Sequence, residues 1–302
     1  MEFNPGKEYK VYGKVISFNF SDGNKNALIV LDNDENINLK LGKEDNIETN
    51  GVYRFDFKVE EKSKRKHYVV LNYQNILDLP LDDEVEAVIK KHCKCAPVSL
   101  KEMNKQLSEY IKMIKNKKIK MIVEDIFARC RHDFLIYPAA IKMHHHYIGG
   151  LAYHTLTMVK LALAYVDVYD CLDRDYLIAG ALLHDIAKVK EFSGPCSDKY
   201  SNEGQLLGHL VMGALEIEKT AERLNVQGEE SLLLEHMVIS HHGQLQYGAA
   251  KRPETPEAVL LWLLDMIDSK LRVVDETFDN LEDGTWSEAI GVLEKTKFYK
   301  RH

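Results

Sequence analysis

Residues Ala179–Val189 read AGALLHDIAKV, an apolar helix pattern interrupted by adjacent His184 and Asp185. A polar pair in that setting is costly to bury unless something pairs with it. Successive helix positions lie about 100° apart around the axis, so both side chains can converge on one metal ion from one edge of the apolar face. Lys188, one turn further on, falls on the same side. Imidazole with carboxylate suits a divalent ion doing hydrolytic chemistry rather than a closed thiolate structural site.

The chain carries its own control, since Arg131-His132-Asp133 is a second His-Asp pair. That copy stands among charged residues at an expected helix end and reads as surface or capping. The Leu183-His184-Asp185 copy differs by its company. Upstream stands Gly149-Gly-Leu-Ala-Tyr-His154-Thr; downstream stand Gly208-His209-Leu, Ser240-His241-His242-Gly and Leu264-Asp265-Met-Ile-Asp268. Each polar group interrupts an apolar run on an expected helix. A lone histidine on an apolar helix is more often a satisfied core residue, but burying this many titratable groups without partners would be prohibitive. The order H, HD, H, HH, D therefore carries the weight.

Length and composition bound the rest. With 302 residues the chain holds one large or two ordinary domains. Its 45% hydrophobic and 29% charged residues are those of an ordinary globular protein. No window approaches the roughly 20 apolar residues of a membrane helix, and Met1-Glu-Phe-Asn-Pro5 lacks a basic region followed by an apolar core. A cytoplasmic protein with no membrane partner is expected. Cys93, Cys95, Cys130, Cys171 and Cys196 are odd in number and scattered, which points to reduced thiols. His92-Cys-Lys-Cys95 lacks the partner pair of a four-ligand zinc site. The net charge of −7 offers no global attraction to a polyanion, so nucleic-acid binding would use local patches. Lys62-Ser-Lys-Arg-Lys66 and the Lys112–Lys120 stretch are two, although charge runs are usually solvated faces.

Residues 1–78 read as a small β-barrel domain. Tyr9–Phe20 is rich in β-branched and aromatic residues, Ser21–Asn24 is a turn, and Ala27–Leu31 and Ile37–Leu41 are short strands. Gly51–Val59 alternates Tyr53, Phe55 and Phe57 with Arg54, Asp56 and Lys58, and Lys62–Lys66 joins it to Tyr68–Tyr73. Five strands with a short helix near Glu44–Glu48 fit an OB-type barrel. Such barrels bind single strands by aromatic stacking and a positive groove. Tyr12, Phe18, Phe20, Tyr53 and Phe55, with Lys64 and Arg65, are the candidates, though most aromatics of a small barrel are core.

Asp78-Leu-Pro-Leu-Asp82 marks the boundary, and residues 79–302 read as all-α, with a linker and leading helices over 79–135. Asp82 opens one helix, Ser99-Leu-Lys-Glu102 is a capping box for the next, and Ile119–Cys130 is a third. Leu151–Val166, Asp175–Phe192, Gln205–Leu224, Glu229–Ser240 and Pro256–Asp275 follow, and the helical pattern is expected to persist to the end. The fold class expected is thus α+β multidomain.

The order His154, His184-Asp185, His209, His241-His242, Asp265 resembles the HD superfamily of metal-dependent phosphohydrolases, in particular its two-metal members. The run Tyr137-Pro-Ala-Ala-Ile-Lys-Met-His-His-His-Tyr-Ile-Gly-Gly-Leu-Ala-Tyr-His154, with Leu183–Lys188, Glu203–His209 and Ser240–Gly243, is more closely similar to the YhaM-type 3′→5′ exoribonucleases, in which an OB domain precedes an HD domain. The resemblance covers nearly the whole chain and is strongest over 137–270. It implies 5′-mononucleotides removed from the 3′ ends of single-stranded RNA, with DNA an open alternative, and an OB domain that feeds the strand to the HD site. Self-association is common in that family.

In this reading His154, His184, Asp185 and Asp265 hold one ion, and Asp185 bridges to a second held by His209, His241 and His242. Two such ions lower the pKa of a water and stabilise the attacking and leaving oxygens of an in-line displacement at phosphorus. Mn, Fe, Co, Ni and Zn all suit the ligand set. Asp185 and Lys188 are the catalytic pair expected, Lys188 neutralising a non-bridging phosphate oxygen. Asp268 is expected to orient a ligand imidazole, a plain helix-surface carboxylate being the alternative, and His146, with His144 and His145, to add a ligand or phosphate contact; His236 is expected to be structural. The alternatives are a nucleotide or dNTP phosphohydrolase and a nucleic-acid-binding protein with an inert HD site. The Gly-Tyr-Pro signature of cyclic-dinucleotide hydrolases is missing, because the sequence after the histidine pair reads Gly243-Gln-Leu-Gln-Tyr-Gly248.

Overall fold

The computed structural model describes residues 2–21, 24–42, 45–140, 147–196 and 199–302. Two compact units divide the chain, Met1–Cys95 and Ala96–His302.

The first unit is built on β1 (Glu8–Ser21), β2 (Asn24–Leu31), β3 (Asn36–Lys40), β4 (Val52–Lys62) and β5 (Arg65–Asn75). They close into a barrel in the order β1-β2-β3-β5-β4, the OB-type arrangement, with β3 and β5 parallel and the other pairs antiparallel. Closure depends on β1 serving two neighbours: Glu8–Lys14 pairs with β4 and Gly13–Ser21 with β2. The ladder slips between Val15 and Ser17, and such a bulge bends a strand from one neighbour to the next. Alternation in β4 sends Tyr53, Phe55 and Phe57 into the core, with Val15, Ile29 and Leu39 from the strands opposite. Each fully buried side chain of this kind stabilises by roughly 1.5–3 kcal/mol. Ser63 and Lys64 both take positive φ at the β4–β5 tip, the backbone that turns a two-residue hairpin. Residues 45–48 of the expected short helix are not helical. Following Asp82, whose carboxylate accepts from the Val85 N–H at 2.8 Å, α1 (Asp83–His92) folds against the barrel through His92 Nε2, 2.9 Å from Asp32 Oδ1.

The second unit contains α2 (Leu100–Met113), α3 (Lys117–Ile136), α4 (Gly150–Val166), α5 (Arg174–Leu183), α6 (Lys188–Glu191), α7 (Asn202–Arg223), α8 (Glu230–Ser240) and α9 (Pro256–Phe278). Ser99 accepts from the Glu102 N–H at 3.1 Å, as its capping box requires. The Lys112–Lys120 stretch is the α2–α3 joint, where the Lys115 and Asn116 N–H groups donate to Asp175 Oδ2 at 2.9 and 2.6 Å.

Two expectations are corrected here. The helix expected over Asp175–Phe192 is two helices, because the backbone tightens at His184–Ala187. Ile186 N–H bonds to Leu183 O and Lys188 N–H to Asp185 O, the three-residue spacing of a 3₁₀ turn. The chain also does not stay helical to its end. Residues 284–300 form an antiparallel arm with bridges Trp286–Tyr299 and Ile290–Thr296, entered through Gly284 at φ 77°. Aromatic and β-branched residues line both sides of that arm, and they favour extended backbone over helix. No helix among the described residues is long and apolar enough to cross a membrane.

Candidate metal centre

Helix ends and one kink deliver most of the site. His184 caps the C-terminus of α5 with Asp185 in the turn that follows, and His241 caps α8 with His242 next to it. His154 lies in the first turns of α4, while Asp265 and Asp268 are one turn apart on α9. His209 follows Gly208, whose φ of 71° and ψ of 159° break the helical path of α7. That combination is essentially restricted to glycine.

Asp185 is at the centre. Its Oδ2 lies 3.3 Å from His184 Nε2, 3.8 Å from His154 Nε2 and 2.7 Å from Lys188 Nζ. Its Oδ1 faces the other way, 3.3 Å from His209 Nε2 and 3.7 Å from His241 Nε2. Two donor groups gather on either side: His154, His184 and Asp185 within 4.8 Å of one another, and His209, His241 and His242 likewise. Asp265 Oδ1 joins the first at 3.4 Å from His154 Nε2.

The outer nitrogens fix what the inner ones offer. His184 Nδ1 is 2.8 Å from Ala181 O and His241 Nδ1 is 2.6 Å from Val238 O. A carbonyl oxygen can only accept, so each Nδ1 carries the hydrogen and each neutral ring turns a bare Nε2 inward. His209 Nδ1 meets Glu191 Oε1 at 2.9 Å, and the same oxygen accepts from the His209 backbone N–H at 3.0 Å. His154 Nδ1 meets Asp268 Oδ2 at 2.7 Å. Asp268 is only 5% exposed, so it stands behind an imidazole and is not a surface carboxylate. Hydrogen bonds of this kind orient imidazole ligands and raise their basicity.

The charges agree with that arrangement. Burial alone would raise the Asp185 carboxyl, but the Lys188 ammonium beside it holds it well below the usual range. Burial would discharge Lys188, and Asp185 keeps it charged. Burial keeps His241 neutral and lowers His242. His154 moves the opposite way: burial lowers it, yet Asp265 and Asp268 push it up to about 10.

Two atoms test whether an ion fits. Asp185 Oδ1 and His209 Nε2 are both buried with no hydrogen-bond partner, 3.3 Å apart. With Nδ1 donating to Glu191, both are acceptors aimed at each other, which is unfavourable unless a cation lies against them. The nitrogen–oxygen donor set, with no thiolate, matches a divalent ion at a hydrolytic centre.

Lys188 Nζ donates to Asp185 Oδ2 and, at 2.8 Å, to Ala139 O. His236 Nε2 accepts from the Glu254 N–H at 2.9 Å. His144, His145 and His146 lie outside the described residues. Sequence reasoning missed Glu191; its signal was Gly208 immediately before His209, a glycine that lets the histidine N–H leave the helical ladder.

In the barrel unit, Tyr12 lines a cleft with Lys10 and Arg54 and with Asp32, Asp82 and Glu84. Phe18 packs on the core edge with Lys25 Nζ 4.3 Å from its ring centre, and Phe20 is 80% exposed. Lys64 and Arg65 are exposed at the β4–β5 tip. By register that tip extends beyond the start of β1, whereas Phe18 and Phe20 lie at its end. Tyr53 and Phe55 are buried and have no face to offer a base.

A family model described as HD domain matches residues 151–270. The 3′-5′ exoribonuclease YhaM of Bacillus subtilis (strain 168) is 39% identical over 221 residues, covering 73% of this chain and 70% of that protein. Its namesake from Geobacillus sp. (strain WCH70) is 41% identical over 226 residues, 74% and 70% of the two chains. The namesake from Bacillus velezensis is 38% identical over 235 residues, 78% and 75%. No solved structure matches.

Proposed function

The chain belongs to the family of the 3′-5′ exoribonuclease YhaM, and from that premise we propose that it removes 5′-mononucleotides from the 3′ end of single-stranded RNA at two divalent ions held around Asp185. One observation carries the reading: a single buried carboxylate turns one oxygen to each of two donor groups, with an unpaired imidazole nitrogen 3.3 Å from one of them.

When bound, the ions supply Lewis acidity and charge neutralisation for in-line displacement at phosphorus. The residues do the rest. His154, His184 and Asp265 would hold one ion and His209, His241 and His242 the other, with Asp185 available to both. Asp268, Glu191 and the carbonyls of Ala181 and Val238 keep the hydrogens on Nδ1, so that Nε2 remains the ligand atom. Lys188 engages Asp185 and Ala139 with two of its three donors and directs the third at a non-bridging phosphate oxygen, where fixed positive charge offsets what develops in phosphoryl transfer. The ligand set admits Mn, Fe, Co, Ni or Zn.

The barrel binds the single strand, with Tyr12, Phe18 and Phe20 stacking on bases and Lys64 and Arg65 meeting phosphates. The free thiols of Cys93, Cys130 and Cys171 agree with a reducing, cytoplasmic setting. The test is product analysis of unlabelled single-stranded RNA incubated with Mn²⁺. Nucleoside 5′-monophosphates as the product, lost on chelation, support the reading; 3′-monophosphates, or triphosphate released from dNTPs with RNA intact, overturn it.

A further inference from the structure

Next to the ligand cluster the second unit has a cleft that the metal chemistry does not use. His242 and Asp265 form one end of it, and Trp262, Met266 and Lys270 of α9 form its floor. The opposite wall is Val292, Leu293 and Glu294, from the arm that follows α9 and lies beyond the residues matched as HD domain. Its volume is about 400 Å³, within the roughly 300–1,000 Å³ of pockets that take small ligands.

The lining combines an indole ring, one lysine and two carboxylates. Trp262 Nε1 is buried and has no hydrogen-bond partner; an indole N–H can only donate, so a base carbonyl that reached it would complete it. The ring is held by the ligand loop. Gly243, immediately after His241-His242, has φ 73° and lies so close that any Cβ there would collide with the indole. Lys270 supplies a cation to the lining, and Ser269 donates to Asp265 Oδ1 at 3.3 Å. Glu294 is an acceptor only; it repels phosphate and suits ribose hydroxyls, which sets the phosphate toward the cluster and the sugar toward the arm.

We propose that this cleft receives the 3′-terminal nucleoside of the RNA, with Trp262 reading its base and the arm closing the wall behind it. The inference rests on the exonuclease reading above. Hydrolysis to a 5′-mononucleotide forms a bond from water oxygen to phosphorus and breaks the bond to the 3′ oxygen of the penultimate nucleotide, which takes up a proton. The terminal nucleoside therefore keeps the phosphate, and one nucleoside pocket beside the cluster is what that product requires.

The experiment pairs binding with kinetics in the full-length, metal-loaded protein. Tryptophan fluorescence is titrated with adenosine 5′-monophosphate and adenosine 3′-monophosphate for wild type, Trp262→Phe and Lys270→Gln, and KM and kcat are measured on single-stranded RNA. The 5′-monophosphate should bind wild type more tightly than the 3′ isomer. Trp262→Phe, which keeps a ring but loses the N–H, should raise KM about tenfold with kcat within about threefold. Lys270→Gln, at an exposed position that does not threaten folding, should weaken binding of the 5′-monophosphate and flatten its salt dependence. Equal affinity for the two isomers, or KM unchanged in both variants while wild type degrades RNA, overturns the proposal. Wild type that leaves RNA intact overturns the exonuclease reading instead.

Discussion

Glu191 spends one carboxylate oxygen on two donors of the same residue, the ring Nδ1–H and the backbone N–H of His209. Replacing it with Gln leaves size and one acceptor but removes the charge that raises imidazole basicity. Partners of this kind are typically worth 10–100-fold in metal affinity, so Glu191→Gln should weaken one of two Mn²⁺ binding events by about that factor in chelator competition, and unchanged affinity would contradict the role. Asp268→Asn should do the same to the other event through His154. The proton on His154 gives a pH prediction. Its raised pKa, about 10 against an ordinary 6.5, means the ring is protonated at neutral pH before an ion arrives. A cation at Nε2 must displace that proton, so affinity rises with pH up to about 10 and falls as the medium is acidified. Calorimetric titration at pH 8 in two buffers of different ionisation enthalpy should give different apparent heats; identical heats would show that no proton leaves. The residues that gather around Asp185 were legible because they break apolar runs in a fixed order. Glu191 was not, because one acid near a helix end looks like any solvated acid until the chain brings His209 back to it.

At the scale of elements, the site depends on where helices stop. His184 and His241 sit at the ends of α5 and α8, each bonding back to the carbonyl three residues earlier, and α7 is broken at Gly208 so that His209 can leave the ladder. Placing a Cβ at φ 71°, ψ 159° stores about 1–3 kcal/mol. Gly208→Ala should therefore lower stability by that amount in denaturant unfolding and weaken one Mn²⁺ site. Full stability with full metal binding would mean the kink is incidental. Periodicity located these helices to within a few residues. It did not show the break inside Asp175–Phe192, because His-Asp-Ile-Ala has no glycine or proline and the turn is imposed by the bonds around it. The arm after α9 was missed for the opposite reason. Its aromatic and β-branched residues were in view, but its two sides, Thr285–Ile290 and Thr296–Lys300, are short and joined by an irregular turn.

For the whole molecule, the proposed function places strand binding in the barrel unit and chemistry in the helical unit. Base stacking contributes about 1–3 kcal/mol per nucleotide, so removing Met1–Cys95 should lower kcat/KM on long RNA ten- to a hundredfold while sparing a dinucleotide. Equal losses on both would deny the barrel a part in holding the strand. Strand order and the alternation of Tyr53, Phe55 and Phe57 made the barrel legible, yet the same alternation made two core aromatics look like stacking candidates, since sequence does not say which face of a closed sheet is inside. The central claim is that Asp185, by serving both donor groups, is the residue without which no phosphodiester is cut. The most direct test is a time course on 5′-labelled single-stranded RNA with Mn²⁺, wild type beside Asp185→Ala, with DNA of the same sequence in parallel and circular dichroism to verify the fold. The account predicts a ladder shortening from the 3′ end for wild type and at least a thousandfold loss in the folded variant, the scale of removing a central electrostatic group. A folded Asp185→Ala protein that still produces the ladder would contradict it.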